Sequence, residues 1–92
     1  MAPLNTKLFK ICNKRGLHAR ASAKFVKCVE QFNVDIQVCK DGQKVGGTSI
    51  MGLMMLAACK GSTIEVSAIG AQSTEALSAL ETLINDRFGE DV

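Results

Sequence analysis

The sequence predicts a two-layer α+β fold: an open-faced β-sandwich of order β-α-β-β-α-β-α, with a four-stranded antiparallel sheet covered on one face by three helices. Three observations carry this prediction. Residues 6–13, 33–40 and 63–68 alternate apolar and polar side chains with the period of two expected of strands. Residues 19–31 and 73–88 instead repeat apolar side chains at helical spacing. Asp41-Gly42 is a strong hairpin dipeptide, so the strand that follows it pairs back antiparallel. The 92 residues are enough chain for one core and too few for two, so residues 1–92 are read as a single domain.

Each element has its own signal. In the first strand, Thr6 to Asn13, Phe9 and Ile11 point to the core while Leu8, Lys10 and Cys12 point away. A loop containing Gly16 leads to the first helix, where Phe25, Val26, Val29 and Phe32 share one face and Arg20, Lys24, Lys27 and Gln31 share another. Asn33 to Lys40 alternates cleanly, with Val34, Ile36 and Val38 inward, and Gln43 to Gly46 forms the return strand of the hairpin. Ile50 to Ala58 is apolar and too short for periodicity to separate helix from strand. Thr48 or Ser49 as an N-cap and Lys60-Gly61 as a stop make it a short helix. The strand from Thr63 to Ala68 turns Ile64 and Val66 inward. The last helix, Ser73 to Phe88, carries a stripe of Ala76, Leu77, Leu80, Leu83, Ile84 and Phe88, and Gly89 ends it.

Composition narrows the function classes. The chain is 47% hydrophobic, with four Phe and no Trp or Tyr, so its core is aliphatic. No apolar run reaches the ~20 residues of a membrane span, and the N-terminus lacks a signal-peptide layout, so a cytoplasmic location without membrane insertion is expected. Cys12, Cys28, Cys39 and Cys59 are irregularly spaced with no C-x-x-C pair, which argues for reduced thiols and against a metal site. The net charge of +2 conceals an asymmetry: residues 1–44 hold nine Lys/Arg against three Asp/Glu, and residues 45–92 hold two against six. A basic first half suits acidic partners or phosphate. It suits nucleic acid less well, because there are few aromatics to stack on bases and the pI is only about 8.4.

The chemistry concentrates at Gly16-Leu17-His18-Ala19-Arg20. His18 is the only histidine, and it falls at or just outside the start of the first helix. The first backbone N–H groups of a helix lack intrahelical partners and attract anions. An imidazole there is a nucleophile beside a ready anion site, with the Arg20 guanidinium close behind. The competing reading of His18 as the general base of a small enzyme lacks a neighbouring carboxylate or nucleophile in sequence, and the domain is small for a substrate pocket.

The stretch Arg15-Gly16-Leu17-His18-Ala19-Arg20-Ala21-Ser22-Ala23-Lys24-Phe25-Val26 resembles the active-site signature of the HPr family, the histidine-containing phosphocarriers of the phosphoenolpyruvate-dependent phosphotransferase system. Thr48-Ser49-Ile50-Met51-Gly52-Leu53-Met54-Met55-Leu56 resembles that family's regulatory-serine region, and the likeness spans residues 6 to 88. The family often has proline where this chain has Ala21. That alanine is similar to nitrogen-related or regulatory branches, and it leaves sugar uptake and nitrogen-related regulation both open as outputs.

The resemblance implies a stoichiometric phosphocarrier rather than an enzyme, needing no cofactor or metal. The phosphoryl group would reside on Nδ1 of His18, contacted by Arg20 and by the N–H groups of Ala19 and Arg20. It would arrive from enzyme I and leave to an EIIA-type protein. Ser49 would be the target of HPr kinase/phosphorylase where that enzyme exists; without it, Ser49 is simply a helix cap. A purely regulatory protein acting through Ser49 alone does not fit the intact Gly-Leu-His-Ala-Arg. Lys24, Lys27, Ile50, Met51 and Met54 are expected to form a docking face, because a short helix apolar all round is hard to bury in so small a domain. The carrier is expected to be a monomer.

Overall fold

A computed structural model describes residues 4–91. Strands β1 (Leu4–Lys10), β2 (Asp35–Lys40), β3 (Gln43–Gly46) and β4 (Thr63–Ile69) form one antiparallel sheet in the order β1-β4-β2-β3. Helices α1 (Ala19–Glu30), α2 (Ile50–Met55) and α3 (Ser73–Asn85) complete the β-α-β-β-α-β-α order. The two central strands are β4 and β2, and their inward residues Ile36, Val38, Ile64, Val66 and Ala68 are almost wholly buried. Against them lie Phe25, Val26 and Val29 of α1, Leu53 of α2, and Ala76, Leu77, Leu80 and Ile84 of α3. The core is aliphatic apart from three phenylalanines, Phe9, Phe25 and Phe88, and the outer face of the sheet leaves Leu8 65% exposed.

The strand boundaries shift from the sequence reading. β1 spans Leu4–Lys10 rather than Thr6 to Asn13. Ile11 still exchanges hydrogen bonds with the chain after α2: its N–H donates to Ser62 at 2.8 Å and its carbonyl accepts from Gly61 at 2.8 Å. Asn13 then leaves the sheet and is completely buried. β2 begins at Asp35 rather than Asn33. Helix α2 stops at Met55 rather than Ala58, and Ala57, at φ 52°, turns the chain out of the helical path. The expected phase of α2 holds: Leu53 and Leu56 are buried, and Ile50, Met51 and Met54 are exposed, with Met55 exposed as well.

The largest correction lies at the C-terminal end. The helix predicted to reach Phe88 ends at Asn85, followed by one tight turn over Arg87–Gly89. Arg87 and Phe88 both adopt φ 55°, a left-handed conformation that cannot continue a right-handed helix. The turn drives Phe88 into the core, where it is 1% exposed, by a route that helical periodicity does not encode. It also swings residues 89–91 back towards α1, where the Lys24 ammonium donates to the Phe88 carbonyl at 2.6 Å.

All four cysteines are free, and burial pushes the Cys28 thiol pKa up, towards its unreactive protonated form. Among the described residues no helix is long and apolar enough to cross a membrane.

Phe88→Ala removes the side chain that anchors the C-terminal turn and leaves a cavity. The expected loss is about 3–5 kcal/mol of unfolding free energy, measured by urea denaturation. A loss of only a few tenths would mean that the turn is not anchored through Phe88.

Candidate functional site

The site begins with the loop before α1. Gly16 has φ +67°, and a Cβ at this position would sit 2.2 Å from the Ala58 carbonyl oxygen, so only glycine fits. The close approach is used: the Leu17 N–H donates to the same carbonyl at 2.9 Å, and buried Leu17 anchors the loop in the core. The chain then enters α1 with His18 as N-cap, at φ −77° and ψ −178°. Its carbonyl accepts the first helical bond, from the Ser22 N–H at 2.8 Å. Its imidazole makes no capping bond, and the Ala19 and Arg20 N–H groups find no acceptor among the described residues. These free amides give the helix start its anion-binding character.

The first turn of α1 has no acidic residue. Arg15 and Arg20 are exposed, and together with Lys24 they line a shallow pocket shared with Gly89, Glu90 and Asp91. Lys27 lies further along α1, exposed and near its C-terminus. Ser49 caps α2 through its Oγ, which accepts from the Gly52 N–H at 3.0 Å, and the serine remains exposed. The exposed side of α2 holds Ile50, Met51 and Met54, with Met55 beside them at 64% exposure. Ala58, just after α2, touches Gly16 and Leu17, so the apolar face is tied by backbone contact to the His18 loop.

Sequence reasoning missed Glu90 and Asn13. The Glu90 carboxylate meets the His18 ring at Nε2 through Oε2. Its other oxygen, Oε1, accepts from Asn13 Nδ2 at 2.9 Å, and the same Nδ2 also donates to the Gly16 carbonyl at 2.8 Å. Asn13 is therefore the brace between the loop carrying His18 and the C-terminal segment carrying Glu90. Both Nδ2 protons are committed, and the buried Oδ1 has no partner among the described residues. Such an orphan ordinarily costs about 1–3 kcal/mol. No pattern in the sequence announces a contact across 72 residues; the only hint was the acidic balance of the second half opposite the basic first half.

Glu90 is only 13% exposed at its side chain. The hydrogen bond from Asn13 is the main cause holding its pKa below the ordinary carboxylate value of 4.5; partial burial opposes this, and the His18 contact and the Arg15 charge reinforce it. A carboxylate depressed in the folded state adds stability that is fully present above its unfolded value and is lost as pH falls through the folded one. The melting-temperature difference between wild type and Glu90→Gln is therefore largest above pH 4.5 and shrinks progressively below it. A difference independent of pH across that range would show that the Glu90 charge contributes nothing to folding.

The family model for the phosphotransferase HPr component, described as its phosphorylation site, matches residues 5–86. The phosphocarrier protein HPr of Neisseria meningitidis is 54% identical over 81 residues, covering 88% of this chain and 91% of that protein. The HPr of Cupriavidus necator is 48% identical over 80 residues, covering 87% and 90%. Among solved structures, HPr-C-His from Thermoanaerobacter tengcongensis superposes with a TM-score of 0.90 at 42% identity, covering 96% of this chain and 99% of that one. A structure described as an HPr dimer from the same organism gives 0.75 at 45% identity, covering 89% and 94%.

Proposed function

This chain belongs to the HPr family of phosphocarriers of the phosphotransferase system, and we propose that it accepts a phosphoryl group on Nδ1 of His18 from phospho-enzyme I, charged by phosphoenolpyruvate, and hands it to an EIIA-type acceptor. It acts as a stoichiometric carrier, regenerated at each hand-over.

The supporting observation is the imidazole standing at the open start of α1. Its Nε2 is taken by Glu90, while Nδ1 has no hydrogen-bond partner among the described residues. Phosphoryl transfer asks a protein mainly for positioning and charge stabilisation. The unpartnered Ala19 and Arg20 N–H groups supply two donors for phosphate oxygens, and the Arg20 guanidinium, exposed and unpaired among the described residues, supplies a mobile charge-assisted contact. Ala19 and Arg20 are exposed and the His18 side chain is 19% exposed, which suits a carrier that must be approached by two different proteins in turn.

Incubation with enzyme I and phosphoenolpyruvate, followed by mass spectrometry under alkaline conditions that preserve phosphohistidine, is expected to find one phosphoryl group on His18. His18→Ala folds and accepts none. Arg20→Ala accepts it more slowly, roughly tenfold or more for the loss of one charge-assisted bond of about 1.5–3 kcal/mol. Undiminished acceptance by His18→Ala overturns the reading.

Partners dock on the face formed by Ile50, Met51 and Met54, with Lys24 and Lys27 as its basic margin. Large exposed apolar side chains on so short a helix, three of the four being flexible methionines, suit a surface that must adapt to unrelated partners. Ser49 borders this face. Phosphorylation there by HPr kinase/phosphorylase adds about −1.5 to −2 charges at a helix N-terminus that tolerates anions. The added charge burdens docking rather than the helix. Replacing both Met51 and Met54 with Glu weakens binding to enzyme I and to EIIA alike while the melting temperature stays nearly unchanged, since neither residue fills the core. Unfolding of that double variant would make the two methionines structural.

A further inference from the structure

Glu90 meets the one ring nitrogen of His18 that the proposed transfer does not use. A neutral imidazole carries a single proton, on either Nδ1 or Nε2, and the nitrogen without the proton holds the nucleophilic lone pair. Which nitrogen that is depends on the hydrogen bond made by the other. An ionised carboxylate can only accept, so a carboxylate at Nε2 requires the proton there. We propose that Glu90 is a positioning residue that holds His18 in the Nε2–H tautomer and so presents Nδ1 as the nucleophile. The tautomer half of this inference stands on the contacts alone; its consequence for transfer rests on the carrier reading.

Several features hold the carboxylate where this role needs it. Buried Asn13 grips Oε1 and leaves Oε2 to the ring. The turn before Glu90 is closed by the Gly89 N–H on the Asp86 carbonyl at 3.0 Å and the Glu90 N–H on the Arg87 carbonyl at 2.9 Å. Phe88 anchors that turn in the core, and Lys24 ties it to α1. The orphaned Oδ1 of Asn13 follows from this arrangement: the amide cannot turn over without facing its oxygen to two acceptors at once. The depressed pKa of Glu90 keeps the carboxylate ionised near neutrality, hence an acceptor.

The same contact stabilises the ring through the transfer step. The Nδ1 lone pair forms the bond to phosphorus. The bond from phosphorus to its leaving atom on the donor breaks, and its electron pair departs with the donor. No proton moves, so the ring keeps its Nε2–H and becomes cationic, and the Glu90 carboxylate faces that new charge. The reverse sequence discharges the ring to the acceptor. Arg15, Arg20 and Lys24 line the adjoining pocket and offset the repulsion between Glu90 and an incoming phosphoryl group.

The test uses the full chain with ¹⁵N-labelled histidine. Two-bond proton–nitrogen correlation spectra at alkaline pH report the tautomer of neutral His18 directly, and the rate of phosphorylation by enzyme I is measured alongside. Wild type is expected to show the Nε2–H form alone. Glu90→Ala is expected to show a mixture of both tautomers and a transfer rate lowered roughly tenfold. Glu90→Gln keeps the size but has one carbonyl oxygen for two donors; with that oxygen held by Asn13 Nδ2, its NH2 group faces Nε2 as a donor. It is therefore expected to shift neutral His18 towards the Nδ1–H form and to lower transfer at least as far as Glu90→Ala, and it guards against simple misfolding of the alanine variant. An unchanged tautomer in both variants overturns the proposal. A changed tautomer with wild-type transfer rates overturns its consequence for transfer. Wild-type protein that takes no phosphoryl group at His18 fails the carrier reading instead, and the spectra still judge Glu90.

Discussion

A helix has one end where its backbone amides point at nothing, and the position of that end decides what this protein can do. The start of α1 is tied to the chain after α2 by a backbone hydrogen bond, the Leu17 N–H on the Ala58 carbonyl, which is possible only because Gly16 has no Cβ to strike that oxygen. With Leu17 buried and Gly16 in its left-handed turn, the next residue must be the N-cap, and that residue is His18. A bulkier residue at position 16 would push the loop off Ala58 and displace the imidazole from the free amides. The helix body serves the same end. Phe25, Val26 and Val29 pin α1 to the sheet, so its first turn cannot tilt away from the loop.

Charge is distributed to match. The basic first half of the chain surrounds the helix start with Arg15, Arg20 and Lys24, and the acidic second half contributes one carboxylate, Glu90, to the ring itself. In the proposed transfer the cations serve the phosphoryl oxygens and the carboxylate serves the imidazole. A phosphoryl group needs positive charge around its oxygens, whereas a ring that turns cationic needs negative charge on its far side. Both kinds of charge face one shallow pocket, which Arg15, Arg20 and Lys24 line together with Glu90, and the Arg15 charge helps hold the Glu90 pKa down. Asn13 holds Glu90 on the Nε2 side, and its own buried Oδ1, without a partner among the described residues, is a stability cost incurred at the site.

The apolar face of α2 follows from length. Six helical residues offer less than two turns, enough to bury Leu53 and, just past the end, Leu56, but not Ile50, Met51, Met54 and Met55 as well. Those four remain in water on a surface joined through Ala58 to the His18 loop. The exposed serine that caps this helix stands beside them, so the cap, the apolar face and the imidazole loop are mechanically connected over a short path.

The sequence by itself determined whatever depends on neighbours along the chain. Strand and helix periods, the Asp41-Gly42 hairpin, a cap at Thr48 or Ser49, the phase of α2 and the position of His18 before a helix are all encoded within a few residues, because backbone geometry repeats over two or 3.6 residues. Only the tertiary structure decided the rest. Helical spacing carried the last helix on to Phe88, yet the chain breaks at Asn85 and brings Phe88 into the core through two left-handed residues, because burying that ring outweighs the local backbone preference. The same break delivers Glu90 to a histidine 72 residues away. Asn13 reads in the sequence as the end of the first strand and is instead the buried brace between them. Contacts of this kind have no period to read. They arise when packing closes the chain on itself, and a side chain's partner is then set by the fold rather than by its neighbours in sequence.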